Sequence, residues 1–343
     1  MKKIILLLLL FSNIQVLFAQ NKFKPSQPEQ GPGSATYSHD EVVQYDFAQN
    51  PDGYWLYEPA SPRPDSANVI VFNHGYGGYN PMIYGKWIKH LVRKGNIVIY
   101  PRYQKNVYSP KPKYFSINVS QAIRDALKKL EDGNFVQPII RNLAMVGHSY
   151  GGVITADLAV NFKNHNIPKP VAILLCSPGS GPFKGGLLDT YEEMPSDTKM
   201  VIMVSENDRT VGDKFGKKVF ETAVNVIERN YIRQRHDNST SPPHKAGHSE
   251  SYALDMDFDN GKRNSTSRRA LRKANTNNVD YYGYWKIFDA LLECSRSNEN
   301  CEYAIGNTPK QRFLGLNSNN EPLLELEVTV PEKEEKTTIS AQY

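Results

Sequence analysis

The stretch MVGHSYGG, residues Met145 to Gly152, places a serine between glycines directly after a run of apolar residues. Its central five residues fit the pattern G-x-S-x-G, which is typical of a sharp turn that exposes a serine hydroxyl. The pattern alone is weak, because a chain of this length shows one by chance about one time in ten at ordinary glycine and serine frequencies. The residues around the turn therefore decide whether it is functional.

On either side of this serine, the sequence predicts a strand that ends at the turn and a helix that begins after it. The run from Leu143 to Val146 is apolar, and the segment YGGVITADLAVNF is helical in pattern. A side chain at Gly147 or Gly151 would collide with neighbouring backbone in so sharp a turn. The free N–H groups at the start of the helix suit a developing negative charge. We therefore predict that Ser149 is a catalytic nucleophile.

A nucleophilic serine needs a base to take its proton, and the base needs an orienting carboxylate. Around a G-x-S-x-G turn, the order along the chain is Ser, then Asp or Glu, then His. The segment MVIMVSENDRTVGD contains another apolar run, and Asp208 stands just past its end. We predict Asp208 as the orienting acid, with Glu206 as the alternative.

The base should follow the last strand of the sheet, where RQRHDNSTSPPHKAGHSES offers His236, His244 and His248. We predict His248 as the base and keep His244 as the alternative. The latter two histidines are four residues apart, a spacing that could also hold a metal ion on a helix. The prolines before them and the glycine between them argue against such a helix, so we expect no metal and no cofactor.

Two N–H donors are needed for the oxyanion of an acyl-transfer intermediate. One would be the backbone N–H of Tyr150, which follows the nucleophile. The other would come from the glycine-rich loop HGYGGYNP, residues 74–81, where Tyr76 is the predicted donor. We predict that these two N–H groups form the oxyanion hole.

Around these motifs, apolar strands alternate with amphipathic helices. Segments such as NVIVFNHG, NIVIYPRY and PVAILLCSPG predict strands, and SQAIRDALKKLEDG and YGYWKIFDALLEC predict helices. This alternation predicts an α/β protein with a mostly parallel central sheet that is covered by helices on both faces. In such sheets, ligands bind at the carboxyl ends of the strands, where the motifs above lie.

The ends of the chain predict export and a single catalytic domain. The start, MKKIILLLLLFSNIQVLFAQ, has the order of a secretory signal peptide, with basic residues, a short apolar run and a small residue at the cut, although it could also be kept as an anchor. We therefore expect a secreted or periplasmic protein with no stable membrane insertion after cleavage. The predicted divisions are a signal peptide at 1–19, a disordered leader at 20–38, a catalytic domain at 39–327 with a candidate cap or insertion at 249–278, and a charged tail at 328–343.

Three cysteines, Cys176, Cys294 and Cys301, are present. In an exported chain, two cysteines that lie seven residues apart across a polar turn favour a disulfide between Cys294 and Cys301, with two free thiols as the alternative. Cys176 ends an apolar run and is expected to be buried and inert.

The charge of the chain points to no nucleic-acid partner. The formal net charge is +5, and it becomes +3 once Lys2 and Lys3 leave with the signal peptide. The basic cluster GKRNSTSRRALRKA, residues 261–274, is local and is expected to be a solvated loop face. We expect a monomer whose partner is a small-molecule or polymeric ester.

The motifs NHGYGG, GNIVIYPRYQ, GHSYGG, SENDRTVG and the histidine of KAGHSE resemble those of the α/β-hydrolase superfamily. More narrowly, the chain is similar to secreted lipase-like and cutinase-like polyester hydrolases over roughly residues 40–325. The resemblance implies the α/β-hydrolase fold and a triad of Ser149, Asp208 and His248. It also implies an oxyanion hole made by the N–H groups of Tyr76 and Tyr150.

Two other functions remain open at this stage besides a serine carboxylic-ester hydrolase with an acyl-enzyme. The first is a serine peptidase on the same fold, most of which carry a large additional domain that this sequence has no room for. The second is a binding protein that keeps the fold without turnover. That function would fit a broken triad, whereas all three roles can be filled here.

Overall fold

The computed structural model describes residues 25–240 and 243–332. The predicted signal peptide at 1–19 and most of the predicted tail lie outside the described residues. Within the described part of the chain, no helix is both long and apolar enough to cross a bilayer.

One sheet of nine strands runs through the described part of the chain, in the order β1-β2-β4-β3-β5-β6-β7-β8-β9. The six strands from β4 to β8 in this order are parallel, while β1, β2 and β9 join at the edges in antiparallel pairs. The strands are β1 (Glu41–Asp46), β2 (Tyr54–Ala60), β3 (Ser66–Asn73), β4 (Asn96–Pro101), β5 (Gln137–His148), β6 (Ala172–Cys176), β7 (Lys199–Ser205), β8 (Arg229–Gln234) and β9 (Glu327–Thr329).

Helices connect the parallel strands and cover both faces of the sheet. The α-helices are α1 (Gly85–Arg93), α2 (Phe115–Leu130), α3 (Tyr150–Val160), α4 (Lys214–Thr222), α5 (Ser265–Lys273), α6 (Lys286–Ser297) and α7 (Pro309–Arg312). A π-helical stretch, Val279–Trp285, leads into α6. The predicted α/β architecture with a mostly parallel sheet is confirmed.

The core consists of two layers, one on each face of the sheet. Along β3, Ile70 and Phe72 belong to the layer that α1 and α6 cover, whereas Val69 and Val71 belong to the layer that α2 and α3 cover. All four side chains are fully buried. Because alternate residues of a strand point to opposite faces, a continuous apolar run is what a strand covered on both sides requires.

The carboxyl ends of the parallel strands all lie along the same edge of the sheet. Ser149 follows β5 directly, and Asp208 follows β7. Tyr76 lies in the loop after β3, and His248 lies in the loop after β8. This topology brings residues from across the sequence to one edge, as expected for a ligand site in an α/β fold.

The prediction of a disordered leader at 20–38 is wrong for residues 25–38. Pro32, Gly33 and Ser34 are buried, and the backbone N–H of Gly33 donates to Asp289 Oδ2 on α6 at 2.9 Å. A polar composition suggested disorder, but it could not show that a buried carboxylate on α6 would pair with this backbone.

The predicted start of the charged tail, at residue 328, also needs correction. Strand β9 continues to Thr329 and pairs with β8, with Val328 opposite Ile232. The segment is too short and polar to be recognised as a strand, and the exposed edge of β8 supplies its hydrogen-bond partners.

The cysteines are arranged as the sequence predicts. Cys294, near the end of α6, is bonded to Cys301, and their Cα atoms are 4.7 Å apart. Cys176 is a free, buried thiol at the end of β6. Burial raises the pKa of that thiol well above its ordinary value, which leaves it unreactive.

We predict that a non-reduced digest of the exported protein contains Cys294 and Cys301 in one linked peptide pair, with Cys176 alkylatable only after unfolding. Replacing both bonded cysteines with serine should lower the free energy of unfolding by roughly 2 kcal/mol, because the closed loop is short. Mass spectrometry and chemical denaturation measure the two effects. A bridge to Cys176, or three alkylatable thiols, would contradict the prediction.

Candidate active site

Ser149 occupies a strained turn between β5 and α3. Its backbone has φ 55° and ψ −121°, a conformation that residues other than glycine rarely adopt. Such a residue costs about 1–3 kcal/mol and persists only where its surroundings hold it in place. The N–H of Ser149 donates to the Cys176 carbonyl at 2.9 Å, and its carbonyl accepts from the N–H of Gly152 at 2.9 Å. Both bonds fix the turn in the geometry that the motif predicts.

The glycines on either side of the turn leave room that no other residue would leave. A Cβ atom on Gly151 would lie 2.0 Å from the Asn73 carbonyl oxygen, at the end of β3. A Cβ atom on Gly147 would lie 2.3 Å from the Gly151 carbonyl oxygen. Since these neighbours are backbone atoms, they cannot swing aside, and the predicted need for glycine at both positions is explained.

The structure brings Ser149, His248 and Asp208 together in one line of hydrogen bonds. His248 Nε2 lies 2.9 Å from Ser149 Oγ, and His248 Nδ1 lies 2.7 Å from Asp208 Oδ2. In the neutral ring, Nδ1–H donates to the carboxylate, so Nε2 is left to accept the proton of the serine hydroxyl. This arrangement can activate the serine as a nucleophile.

Asp208 is held as a carboxylate. Burial raises the pKa of this carboxyl. The hydrogen bond and charge of His248, together with the N–H groups of Thr210 and Val211, lower the pKa by more than burial raises it, so the net shift is downward. The two N–H groups donate to Oδ1 at 2.8 Å and 3.1 Å. Oδ2 is therefore free to orient the imidazole.

The alternative candidates are engaged elsewhere. His244 pairs with Asp237 through two backbone hydrogen bonds, and its Nδ1 lies 3.1 Å from Thr240 Oγ1. Glu206 Oε2 accepts from the backbone N–H of His236 at 2.9 Å. Of the two histidines, only His248, the one that the sequence favoured, is hydrogen-bonded to Ser149 Oγ.

Tyr76 and Tyr150 lie where the sequence predicts them, in the loop after β3 and at the first position of α3. Within the described residues, no protein acceptor is hydrogen-bonded to the backbone N–H of either residue. The side-chain hydroxyls are used in packing, since Tyr76 donates to the Val107 carbonyl and Tyr150 donates to the Gly185 carbonyl, each at 2.7 Å. The backbone N–H groups are thus available to a ligand oxygen.

The predicted insertion at 249–278 contacts the loop that carries Tyr76. At the start of α5, Thr266 Oγ1 donates to the Tyr76 carbonyl at 3.0 Å, and Asn264 Nδ2 donates to the Gly77 carbonyl at 2.8 Å. The segment therefore forms one wall of the site and holds the loop in place.

A second polar network, which sequence reasoning missed, lies behind the first. The Tyr84 hydroxyl accepts from the N–H of Gly75 at 3.1 Å and donates to His148 Nδ1 at 2.8 Å. His148 Nε2–H in turn donates to the backbone carbonyl of His248 at 2.8 Å. The network joins the loop after β3 to the loop that carries His248. No sequence signal marks Tyr84, because its role depends on contacts with residues that are distant along the chain.

His148 is held neutral, as this network requires. Burial and the neighbouring charge of His248 lower the pKa of His148 to about 3. A neutral ring has one donor and one acceptor nitrogen, which matches its two partners.

A cavity of about 250 Å³ opens over Ser149. It is lined by Gly75, Tyr76, His148, Ser149, Thr210, His248, Tyr252, Ser265, Thr266 and Arg269. In the described part of the chain, no group of three or more histidine, cysteine or carboxylate side chains is placed to hold a metal ion.

Comparisons with known proteins found a partial family match and a distant structural match. A chlorophyllase family model matches residues 42–194, which is less than half of the chain and includes Ser149 but neither Asp208 nor His248. No curated protein matches the sequence. Among solved structures, one from a structural analysis of two fungal esterases from Rhizomucor miehei has 14% sequence identity and a TM-score of 0.47, and the match covers 65% of this chain and 81% of that chain.

The strand order of the sheet and the strained turn at Ser149 together define the fold of this protein. The chain has the α/β-hydrolase fold, and its residues 42–194 are similar to the chlorophyllase family.

We predict that Gly151→Ala lowers the free energy of unfolding by roughly 1–3 kcal/mol, because the new methyl group must displace the backbone at Asn73. Gly133→Ala is the matched control, since a Cβ atom there meets nothing within 4 Å. The control should change stability by less than about 0.5 kcal/mol. Chemical denaturation of both variants measures the difference, and equal stabilities would contradict the close approach.

The free energy of unfolding should depend on pH through Glu250, which lies two residues after His248. Burial raises the pKa of Glu250 from 4.5 to about 7, against the opposing effects of the Gly247 N–H and the charges of Lys245 and His236. The folded protein therefore holds this proton over a pH range in which the unfolded chain has lost it. The stabilisation that results is complete below about pH 4.5 and is lost as the pH rises to about 7.

Between pH 4.5 and about pH 7, the free energy of unfolding should fall less in Glu250→Gln than in the native protein. The glutamine keeps an acceptor for the N–H of Gly247. Glu193→Gln, at an exposed position, controls for the loss of one carboxyl. Denaturation at a series of pH values measures the slopes. If native protein and the Glu250 variant have the same slope, the pKa of Glu250 is not raised.

Proposed function

We propose that this protein is a serine carboxylic-ester hydrolase that works through an acyl-enzyme. The observation that carries the proposal is the line from Ser149 Oγ to His248 and Asp208, with separations of 2.9 Å and 2.7 Å, on a serine whose backbone is held in the strained turn. A hydroxyl, a base and an orienting acid in this order are the parts of a nucleophilic triad.

In the first half of the reaction, Ser149 Oγ attacks the carbonyl carbon of the ester while His248 Nε2 takes the hydroxyl proton. The carbonyl oxygen becomes an oxyanion and accepts hydrogen bonds from the backbone N–H groups of Tyr76 and Tyr150. Donors that are already oriented stabilise this charge without reorganisation cost. Asp208 holds Nδ1–H, so the ring keeps the tautomer that can accept the proton.

The intermediate then breaks down by loss of the alcohol. His248 Nε2–H gives its proton to the leaving oxygen, and the acyl group remains on Ser149 as an ester. Water enters, gives a proton to His248 and attacks the acyl carbon. The second tetrahedral intermediate releases the carboxylic acid, and the proton returns to Ser149 Oγ.

We further propose that the enzyme works outside the cytoplasm, in the periplasm or the medium. The predicted signal peptide supports this, and so does the bond between Cys294 and Cys301, because structural disulfides persist in oxidising compartments.

The triad predicts a non-additive pattern of losses. Ser149→Ala should lower turnover of a 4-nitrophenyl ester by roughly a million-fold, and adding His248→Ala should cost little more, because the residues act as a unit. Asp208→Asn should cost roughly ten-thousand-fold, since an amide favours the wrong tautomer of the ring. Steady-state kinetics on each purified variant test these values.

The matched control for the base is His244→Ala, which removes a histidine of the same loop that is hydrogen-bonded to Thr240 and not to Ser149. It should retain activity, whereas His248→Ala should lose it, with circular dichroism confirming that both fold. A dead His244 variant beside an active His248 variant would overturn the assignment. A parallel assay with a peptide anilide tests the peptidase alternative, and no turnover of either substrate would favour a binding protein.

A further inference from the structure

A second cavity, of about 820 Å³, adjoins the one over Ser149. Thr210, His248 and Arg269 line both cavities, so the two form one continuous depression. The larger cavity extends from His248 between the loop that follows it and the helix α5.

The wall of this larger cavity is strongly basic. Five cationic side chains line it, namely Arg209, Lys245, Arg269, Arg272 and Lys273. We call these five residues the basic wall. Each is exposed, and within the described residues none forms an ion pair with a carboxylate. The one carboxyl on the cavity surface among the described residues is Glu250.

Glu250 offsets little of this charge. Its Oε1 accepts from the N–H of Gly247 at 3.0 Å, inside its own loop. Burial raises its pKa to about 7, so a large share of the side chain is uncharged near neutral pH. The cavity thus keeps a net positive field toward an entering molecule.

Helix α5 fixes most of the basic wall in space, which differs from the solvated loop face predicted for residues 261–274. The helix begins with a reciprocal capping box between Asn264 and Ser267, and Ala270 is fully buried. Asn264 and Thr266 also bond to the loop that carries Tyr76. The cations on α5 therefore stand at a defined position relative to the proposed oxyanion hole.

The position of this cavity indicates which part of a bound ester, the acyl group or the leaving alcohol, would lie in it. In the proposed reaction, His248 Nε2–H must face the oxygen of the leaving alcohol in order to protonate it. The alcohol portion therefore lies on the His248 side of Ser149, where the larger cavity begins. A substituent on that alcohol extends toward the basic wall, whereas the acyl group lies on Ser149 itself.

We propose that the natural substrate is an ester whose leaving alcohol carries a negative charge, as a carboxylate, sulfate or phosphate group, which the basic wall binds. The inference rests on the proposed function and names the substrate class of the same site. Of the five cations, Arg269 alone lines the cavity over Ser149 as well as the larger one, so its guanidinium adjoins both halves of the proposed binding site.

Two acetate esters test this directly, 4-acetoxybenzoate with an anionic leaving group and methyl 4-acetoxybenzoate with a neutral one. Each kcat/KM is divided by the rate of hydroxide hydrolysis, which corrects for intrinsic reactivity. We expect about a ten-fold preference for the anionic ester at low salt, since each exposed cation contributes modestly. The preference should fall to about two-fold in about 0.5 M sodium chloride, because exposed charges are screened there.

Paired variants of α5 assign the preference to the basic wall. The double variant Arg269→Gln/Arg272→Gln should reduce the preference ratio to about two-fold at low salt. Arg268→Gln removes one positive charge from the same helix, but Arg268 does not line the cavity, and this variant should keep the native ratio. Thermal unfolding checks that all variants are folded.

The outcomes separate this inference from the proposed function. Turnover of the neutral ester at the same corrected rate as the anionic one would overturn the inference and leave the esterase intact. Comparing mono(4-nitrophenyl) adipate with 4-nitrophenyl hexanoate tests an anionic charge on the acyl group instead. If only this pair showed a salt-sensitive preference for the anionic ester, the assignment of the charge to the leaving alcohol would be overturned. No turnover of any ester would overturn the proposed function itself.

Discussion

The close approach of Gly151 to the end of β3 is the constraint on which the site depends. The backbone of α3 passes so near the Asn73 carbonyl that even a methyl group would not fit. That approach packs the start of α3 against the sheet beside Ser149, whose backbone has φ 55° and ψ −121°. The hydrogen bond from Ser149 N–H to Cys176, at the end of β6, holds the turn from the other side. Three neighbouring strands, β3, β5 and β6, therefore hold Ser149 in its turn.

Around this fixed serine, the remaining groups are held by loops that bond to one another. Asp208 is oriented by the N–H groups of the turn after β7, and it in turn orients His248. Tyr84 and His148 connect the backbone of His248 to that of Gly75, so the loop that carries His248 and the loop after β3 are linked through buried polar atoms. Preorganised groups of this kind lower the cost of reaching a charged transition state.

The sequence predicted those features that local pattern determines. The apolar runs and helical spacing predicted the parallel sheet. The glycines around Ser149 predicted the turn, although the steric need for Gly151 comes from the distant Asn73 carbonyl. The order of motifs along the chain singled out Asp208, and the structure brings it to His248. The sequence favoured His248 and kept His244 as the alternative, because both histidines lie in one loop; the structure hydrogen-bonds His248 to Ser149 and His244 to Thr240. Tyr84, the packing of Gly33 on Asp289, and the helix that carries the basic wall all depend on contacts between distant segments, which composition and periodicity do not encode.

The central claim is that Ser149 is a nucleophile activated by His248. A fluorophosphonate probe tests it most directly, because the probe forms a covalent bond only with a serine whose proton is removed by a neighbouring base. The account predicts one adduct, located by peptide mass spectrometry on Ser149, that forms in the native protein and is lost in folded His248→Ala. No adduct on the native protein, or an adduct on a different serine, would contradict it.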